Sequence, residues 1–274
     1  MDSTATFALL GVFAHPDDEG SASGTLGQAA AAGHRAYVAC ATRGDGVDAK
    51  ISDPALATRE TLGEVRSQEL TCACAKLGLQ PPIFLGYQDG EVDQVPLEDA
   101  ARAVARLIRE LRPAVVITHG PEGGYGHPDH IAVSAFTTRG FELAADPALA
   151  LDLAPYAPAK LYYTAMPRSY LESVPAFRDR RADIRGQALR FVGVADETIT
   201  TAVSVTDWLT RKLEALSCHR TQFEFDPQTG QPKMFTTSLP EPQRSQFFGH
   251  ERYVLARSSV PFNGRESDLL AGLV

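Results

Sequence analysis

The chain reads as five short apolar runs separated by longer segments of helical character. FALLGVF (7–13), RAYVACAT (35–42), PIFLGY (82–87), AVVITHG (114–120) and AKLYYTAMP (159–167) are compact, apolar and bounded by Gly, Pro or charge. They predict strands buried on both faces and running parallel. Between them, residues 20–33 are rich in Ala and residues 58–79 carry apolar positions at helical spacing. The pattern is clearest over 96–112, where Ala100, Val104, Leu107, Ile108 and Leu111 recur at i, i+3/i+4 and Pro113 stops the helix. Alternating strand and helix imply right-handed βαβ crossovers. The expected fold is therefore α/β, a doubly wound, mainly parallel sheet with helices on both faces.

Beyond about residue 168 the pattern loosens. ITTAVSVTDW (199–208) is β-like and DWLTRKLEALSCHRTQ (207–222) predicts a helix. The segment from Phe223 is rich in Pro, Gly, Gln and Ser, yet it keeps Phe225, Phe235, Phe247, Phe248 and Tyr253. Those aromatics predict an ordered, less regular C-terminal extension packed on the rest. With no repeat and no low-complexity linker, the expectation is a single domain over 1–274.

Composition narrows the function. A formal charge of −8 with no strongly basic segment disfavours a nucleic-acid partner, and a neutral or cationic small molecule suits this balance better. No apolar run is long enough to cross a bilayer. The opening MDSTATFALLGVFAHPDDE lacks a basic n-region, so it reads as a first strand rather than a signal peptide. Cys40, Cys72, Cys74 and Cys218 do not form a zinc-ribbon spacing. Reduced thiols in a cytoplasmic protein are the favoured reading. A homo-oligomer stays open.

Ligand sites of open α/β sheets form outside the carboxyl ends of the strands. Two strands here end in the same chemistry. The first runs into Ala14-His15-Pro16-Asp17-Asp18-Glu19, and the fourth into His119-Gly120 and then Tyr125-Gly126-His127-Pro128-Asp129-His130. If those strands are neighbours, the two loops face each other. Zinc hydrolases use three imidazole or carboxylate ligands and keep a position for water, whose pKa falls to about 7. His15 and Asp18 supply two ligands, and a His of the second loop supplies the third. Asp17 and Glu19 leave a carboxylate free to take a proton, while His127 and Tyr125 can stabilise an oxyanion. Either loop alone is also a turn with a helix N-cap; both together, each just past a predicted strand, favour the functional reading.

Other residues carry weaker signals. His34 lies in a helix-to-strand turn and is expected to be solvated. His250 falls among the tail aromatics, and His119 suits a supporting role near the metal. Gly20, Gly24 and Gly27 mimic the dinucleotide loop of a Rossmann-like sheet, but their spacing is wrong and the preceding carboxylates repel a pyrophosphate.

AHPDDE (14–19) together with YGHPDH (125–130) resembles the LmbE-like, or PIG-L, N-acetylglucosaminyl deacetylases. That family includes deacetylases of mycothiol and bacillithiol synthesis and a mycothiol-conjugate amidase. The resemblance implies His15, Asp18 and His130 as zinc ligands and Asp17 as general base. It further implies that His127 stabilises the tetrahedral intermediate and that Tyr125 helps bind the acyl oxygen. Weaker matches are Thr42-Arg43-Gly44, Arg66 and Asp89 as substrate-binding positions, and His219 with Gln222 in CHRTQ (218–222). The implied activity is metal-dependent removal of an N-acetyl group from a glucosamine-containing small molecule, with Zn²⁺ or, in the cell, Fe²⁺. Rivals are an amidase acting on thiol-sugar conjugates, a non-catalytic sugar-binding protein, and a phosphoesterase, the last disfavoured by the scarcity of basic residues.

Overall fold

The first apolar run becomes β1 (Ala8–Phe13), buried along its whole length, and the sheet grows outward from it on both sides. The computed structural model describes residues 5–174, 178–179, 181–230, 232–233 and 243–273. β2 (Arg35–Cys40) and then β3 (Ile83–Phe84) lie to one side of β1, and β4 (Val115–Thr118) and β5 (Lys160–Thr164) to the other, all parallel. β6 (Ala182–Ile184) and β7 (Gln187–Leu189) form a separate hairpin. β8 (Thr201–Ser204) and β9 (His250–Ser258) complete the main sheet in the order β3-β2-β1-β4-β5-β9-β8, with β9 antiparallel to both of its neighbours. Sequential strands proceed outward in both directions from β1 and β4, so the switch point lies between those two strands. A doubly wound sheet opens its ligand crevice at that place.

Successive β1 side chains divide between two apolar layers, as strand geometry requires. Leu9 and Phe13 pack with Leu26 of α1 (Ser23–Ala31) and Leu70 and Leu77 of α2 (Leu62–Leu77). Leu10 and Val12 pack with Val104 and Ile108 of α3 (Leu97–Leu111). After β4, a single turn α4 (Gly123–Gly126) leads into α5 (Pro128–Ala145), which adds Val133 and Phe136 to the second layer. The packing of α5 on α3 needs Gly140, because a Cβ there would stand 2.8 Å from the Ala101 carbonyl oxygen and from Val104 Cβ. The short α6 (Arg168–Ser173) and α7 (Leu209–Leu216) follow, and Ala215 of α7 joins the first layer.

The structure departs from the sequence expectations in identifiable places. The third strand shrinks to two residues, although the Leu85 and Tyr87 amides still bond to β2-side carbonyls at 2.9 Å. The helix expected over 207–222 ends at Leu216, since Glu69 of α2 captures the Thr221 amide and hydroxyl at 2.7 Å each and holds the chain outside helical geometry. The segment from Phe223 contributes β9, a nine-residue strand inside the main sheet. Phe235 lies outside the described residues. His34 is half-buried rather than solvated, and its Nδ1 accepts the Phe7 amide at 3.3 Å.

The reduced-thiol expectation is corrected. Cys72 and Cys218, 146 residues apart, form a disulfide, while Cys40 and Cys74 stay free and buried. The pairing depends on α2 lying beside the turn after α7, a proximity that spacing along one chain does not reveal. Among the described residues no helix is long and apolar enough to cross a membrane.

Candidate active site

β1 and β4 are adjacent with Val12 paired to Thr118, so the chain leaves both strands at the same edge. The turn after β1 is compact: the His15 amide donates to Asp18 Oδ2 at 2.8 Å, and the Asp18 amide donates to the His15 carbonyl at 3.3 Å. Both side chains are thereby drawn to one side. Opposite them, His127 caps α5 by accepting the Asp129 amide on Nδ1 at 3.1 Å, with Pro128 at the first helical position. His130 therefore sits in the first turn of α5, where side chains lean back toward the helix N-terminus.

Three donor groups converge. His15 Nδ1 lies 3.2 Å from His130 Nε2, and Asp18 lies 3.4 Å from each of those nitrogens. Metal–ligand bonds of about 2.0–2.1 Å in a tetrahedral site give donor–donor edges of roughly 3.3–3.4 Å. Each edge is close to that spacing, the two Asp18 edges being made by Oδ2 toward His15 and Oδ1 toward His130, and two imidazoles with one carboxylate are donors that zinc takes. Neighbouring donors form overlapping sets, each within 4.8 Å: His15 with His127 and His130, Asp18 with His119 and His130, and His15 with Asp89 and Asp129. The remaining bonds separate these roles. His15 Nε2 faces Asp89 Oδ1 at 2.9 Å and Asp129 Oδ2 at 3.3 Å, which places its proton there and leaves the Nδ1 lone pair for a metal. Asp89 also accepts the Gly46 amide at 2.7 Å, and Asp129 accepts the Gly90 and Val92 amides at 2.8 and 3.2 Å. His119 stacks on His130 with ring centroids 4.1 Å apart, and its Nε2 accepts the Ala14 amide at 3.2 Å.

The charges follow from this packing. Burial alone would raise the Asp18 carboxyl, but His130 and His119 outweigh it and hold the group well below the usual carboxylate range. Burial pushes the Asp17 carboxyl up to about 6 against the pull of Arg66. Burial, reinforced by His15, pushes His127 down to about 4, which keeps its ring neutral near pH 7. With Nδ1 accepting from the backbone, neutral His127 carries its proton on Nε2.

Asp17 stands outside the donor triangle with φ 111° and ψ −22°. A non-glycine residue in such a region costs on the order of 1–3 kcal/mol and persists only where its surroundings enforce it. Its side chain borders two cavities. One, of about 560 Å³, is polar and lined by His15, Asp48, Asp89, Glu91, His127 and Arg185. The other, of about 320 Å³, is lined by Met166, Leu171, Phe191, Leu216, Phe223 and Phe248. Asp17, Asp18 and Tyr125 border both. The Tyr125 ring meets His127 and His130 edge-on at 5.6 and 5.3 Å. His250 lines the apolar cavity and Gln222 the polar one.

Arg66 and Asp89 reach the polar cavity wall, but protein groups engage the Asp89 carboxylate and both terminal nitrogens of Arg66, leaving only Arg66 Nε without a partner among the described residues. Arg66 is 4% exposed; it donates through Nη1 to the Gly44 carbonyl at 2.7 Å and through Nη2 to the Pro16 carbonyl. Gly44, with φ +70°, also leaves the space that the guanidinium fills. Asp89 supports His15 as described. Sequence reasoning gave no role to Asp129, although it stands between His127 and His130 in the second motif. It also left Glu19 and His219 unconnected, whereas Glu19 Oε1 and His219 Nε2 meet at 2.6 Å with both residues buried.

Residues 10–141 match the sequence profile of the GlcNAc-PI de-N-acetylases, PIG-L. The chain is 38% identical over 292 residues to a 1D-myo-inositol 2-acetamido-2-deoxy-alpha-D-glucopyranoside deacetylase of Thermomonospora curvata, covering 97% of this chain and 96% of that one. A protein of the same name from Acidothermus cellulolyticus is 35% identical, with coverage of 97% and 95%. Among solved structures, N,N'-diacetylchitobiose deacetylase from Pyrococcus horikoshii superposes with a TM-score of 0.65 at 19% identity, over 90% of this chain and 83% of that one. That likeness concerns the fold.

Proposed function

The chain belongs to the PIG-L family of GlcNAc-PI de-N-acetylases, and on that footing we propose that it is a metal-dependent deacetylase of a glucosamine-containing small molecule. The acetamido-glucosyl inositol named for the relatives is the first substrate to test. The same reading takes residues 1–274 as one domain, since β8 and β9 complete the sheet that carries the site. His15, Asp18 and His130 would hold the ion. Zn²⁺ suits this donor set, and Fe²⁺ could use the same ligands. When bound, such an ion polarises an amide carbonyl and makes a water acidic enough to attack it.

The remaining steps belong to the chain. Asp17 takes the proton of the attacking water: it adjoins Asp18 and borders both cavities, whereas Asp89 and Asp129 are engaged by His15 and by backbone amides. His127 directs its Nε2 proton to the oxygen on which negative charge develops, and Tyr125, at the junction of the two cavities, aids in binding that oxygen. Collapse breaks the C–N bond; Asp17 or His127 delivers a proton to the departing amine, and acetate leaves. The polar cavity accepts the sugar hydroxyls. Arg66 and Asp89 contribute by fixing that cavity's walls and the rings and carboxylates behind them.

The observation that carries this reading is the triangle of His15, Asp18 and His130 with unligated Asp17 beside it. Asp17→Asn should keep the ion and lose on the order of 10²–10⁴-fold in turnover. A folded, metal-loaded variant with an unchanged rate removes Asp17 from the mechanism. The apolar cavity favours a second reading, an amidase acting on thiol-sugar conjugates, because about 320 Å³ far exceeds the needs of an acetyl methyl. Amine release from N-acetylglucosaminyl inositol, N-acetylglucosamine and thiol-sugar conjugates, measured side by side, separates the two.

A further inference from the structure

Two buried residues that the mechanism leaves unused stand directly behind Asp17. Glu19 is 1% exposed, and its two carboxylate oxygens face different ways. Oε2 accepts the Asp17 amide at 2.9 Å, and Oε1 meets His219 Nε2 at 2.6 Å. His219 is fully buried, and its Nδ1 has no partner among the described residues, so its one committed ring atom is the nitrogen on Glu19.

His219 is itself clamped on both sides. Cys218 is bonded to Cys72 of α2, and Thr221 donates its amide and hydroxyl to Glu69 of the same helix. Arg66, one turn earlier on α2, holds the Pro16 carbonyl and lies 3.5 Å from Asp17 Oδ1. One helix thus grips the Asp17 turn from the front through Arg66 and from behind through His219 and Glu19. The Asp17 backbone, at φ 111°, is a conformation that its own sequence does not favour.

We propose that Glu19 and His219 are positioning residues that hold the Asp17 backbone in this conformation and so aim its carboxylate at the reacting centre. The proposal rests on Asp17 as the general base. Without a partner in His219, the Glu19 carboxylate is free to turn, the Asp17 amide loses its acceptor, and the turn relaxes toward an ordinary conformation. The ion would stay, because neither residue touches His15, Asp18 or His130 through the bonds described.

The test follows amine release from N-acetylglucosamine by the zinc-loaded full chain. His219→Leu should lower kcat roughly 10–100-fold, the scale of a misplacement near 1 Å, with KM within about 3-fold and bound zinc unchanged. His219→Gln offers an amide donor near the Nε2 position and should recover activity to within about 5-fold of the native chain. In an Asp17→Asn background, His219→Leu should cost less than about 2-fold more, because the dyad acts through Asp17. Native kcat in a folded His219→Leu, equal losses for Leu and Gln, or additive losses with Asp17→Asn each overturn the proposal. Should His219→Leu not fold, Glu19→Ala decides. It removes the acceptor of the Asp17 N–H whichever tautomer His219 adopts, so a native kcat there also overturns the proposal. An Asp17→Asn variant with full activity would instead defeat the general-base reading.

Discussion

His15 and His130 are separated by 115 residues, yet His15 Nδ1 lies 3.2 Å from His130 Nε2, with Asp18 completing the triangle. Two nitrogens so close, each with a lone pair directed into the same space, repel unless a cation or a proton lies between them. Chelation should therefore abolish turnover and lower Tm, and Zn²⁺ should restore both; saturation at 100 times Kd corresponds to about 2.7 kcal/mol of added stability. His130→Ala and Asp18→Ala should lose the stoichiometric ion by metal analysis. Retention of a full complement in both would place the ion elsewhere.

His127 lies near the same donors, so its role needs separating from that of Asp18. Its Nδ1 is already occupied by the Asp129 amide. His127→Ala should accordingly keep the ion while kcat falls on the order of 10²-fold, as for loss of one oxyanion donor. If His127→Ala loses the metal and Asp18→Asn keeps it, the ligand set is His15, His127 and His130.

The Cys72–Cys218 bond closes a loop of 146 residues and fastens the turn carrying His219 to α2. Replacing both cysteines by Ser should cost about 2–4 kcal/mol under oxidising conditions, the usual range for a bridge over a long loop. Denaturant melts with and without a reductant should differ for the native chain and coincide for the double variant. Intact mass should show the loss of two hydrogens in the native chain.

Lys212 and Glu251 form a buried pair at 2.5 Å, at 6% and 1% side-chain exposure. Glu251 also accepts the Gly24 and Thr25 amides at 2.8 and 2.7 Å, so this pair joins β9 and α7 to the start of α1. Lys212→Met leaves a buried carboxylate without its cation and should destabilise the fold by about 3–5 kcal/mol in urea unfolding. A change below about 1 kcal/mol would show that the helix N-terminus, with the Thr25 and Tyr253 hydroxyls, satisfies Glu251 without the cation.

The apolar layers and the two donor-rich loops are legible in the chain alone. Runs such as FALLGVF and AVVITHG are legible because a strand buried on both faces needs near-continuous apolar residues. Helix 97–111 is legible because its apolar positions fall on one side and Pro113 ends it. The two His-Pro-Asp loops are legible because donor residues cluster within a few positions just beyond a strand. What depends on distant approach was not legible. β9 enters the sheet through pairing with β5 and β8, a choice made by partners about fifty to a hundred residues away. The disulfide, the Glu69–Thr221 clamp and the Glu19–His219 contact each join segments about 150 to 200 residues apart. Only the fold decides which of the many acids and imidazoles become ligands, supports or positioning groups. Each of these side chains is chemically able to fill several of those roles, and its direction and burial choose among them.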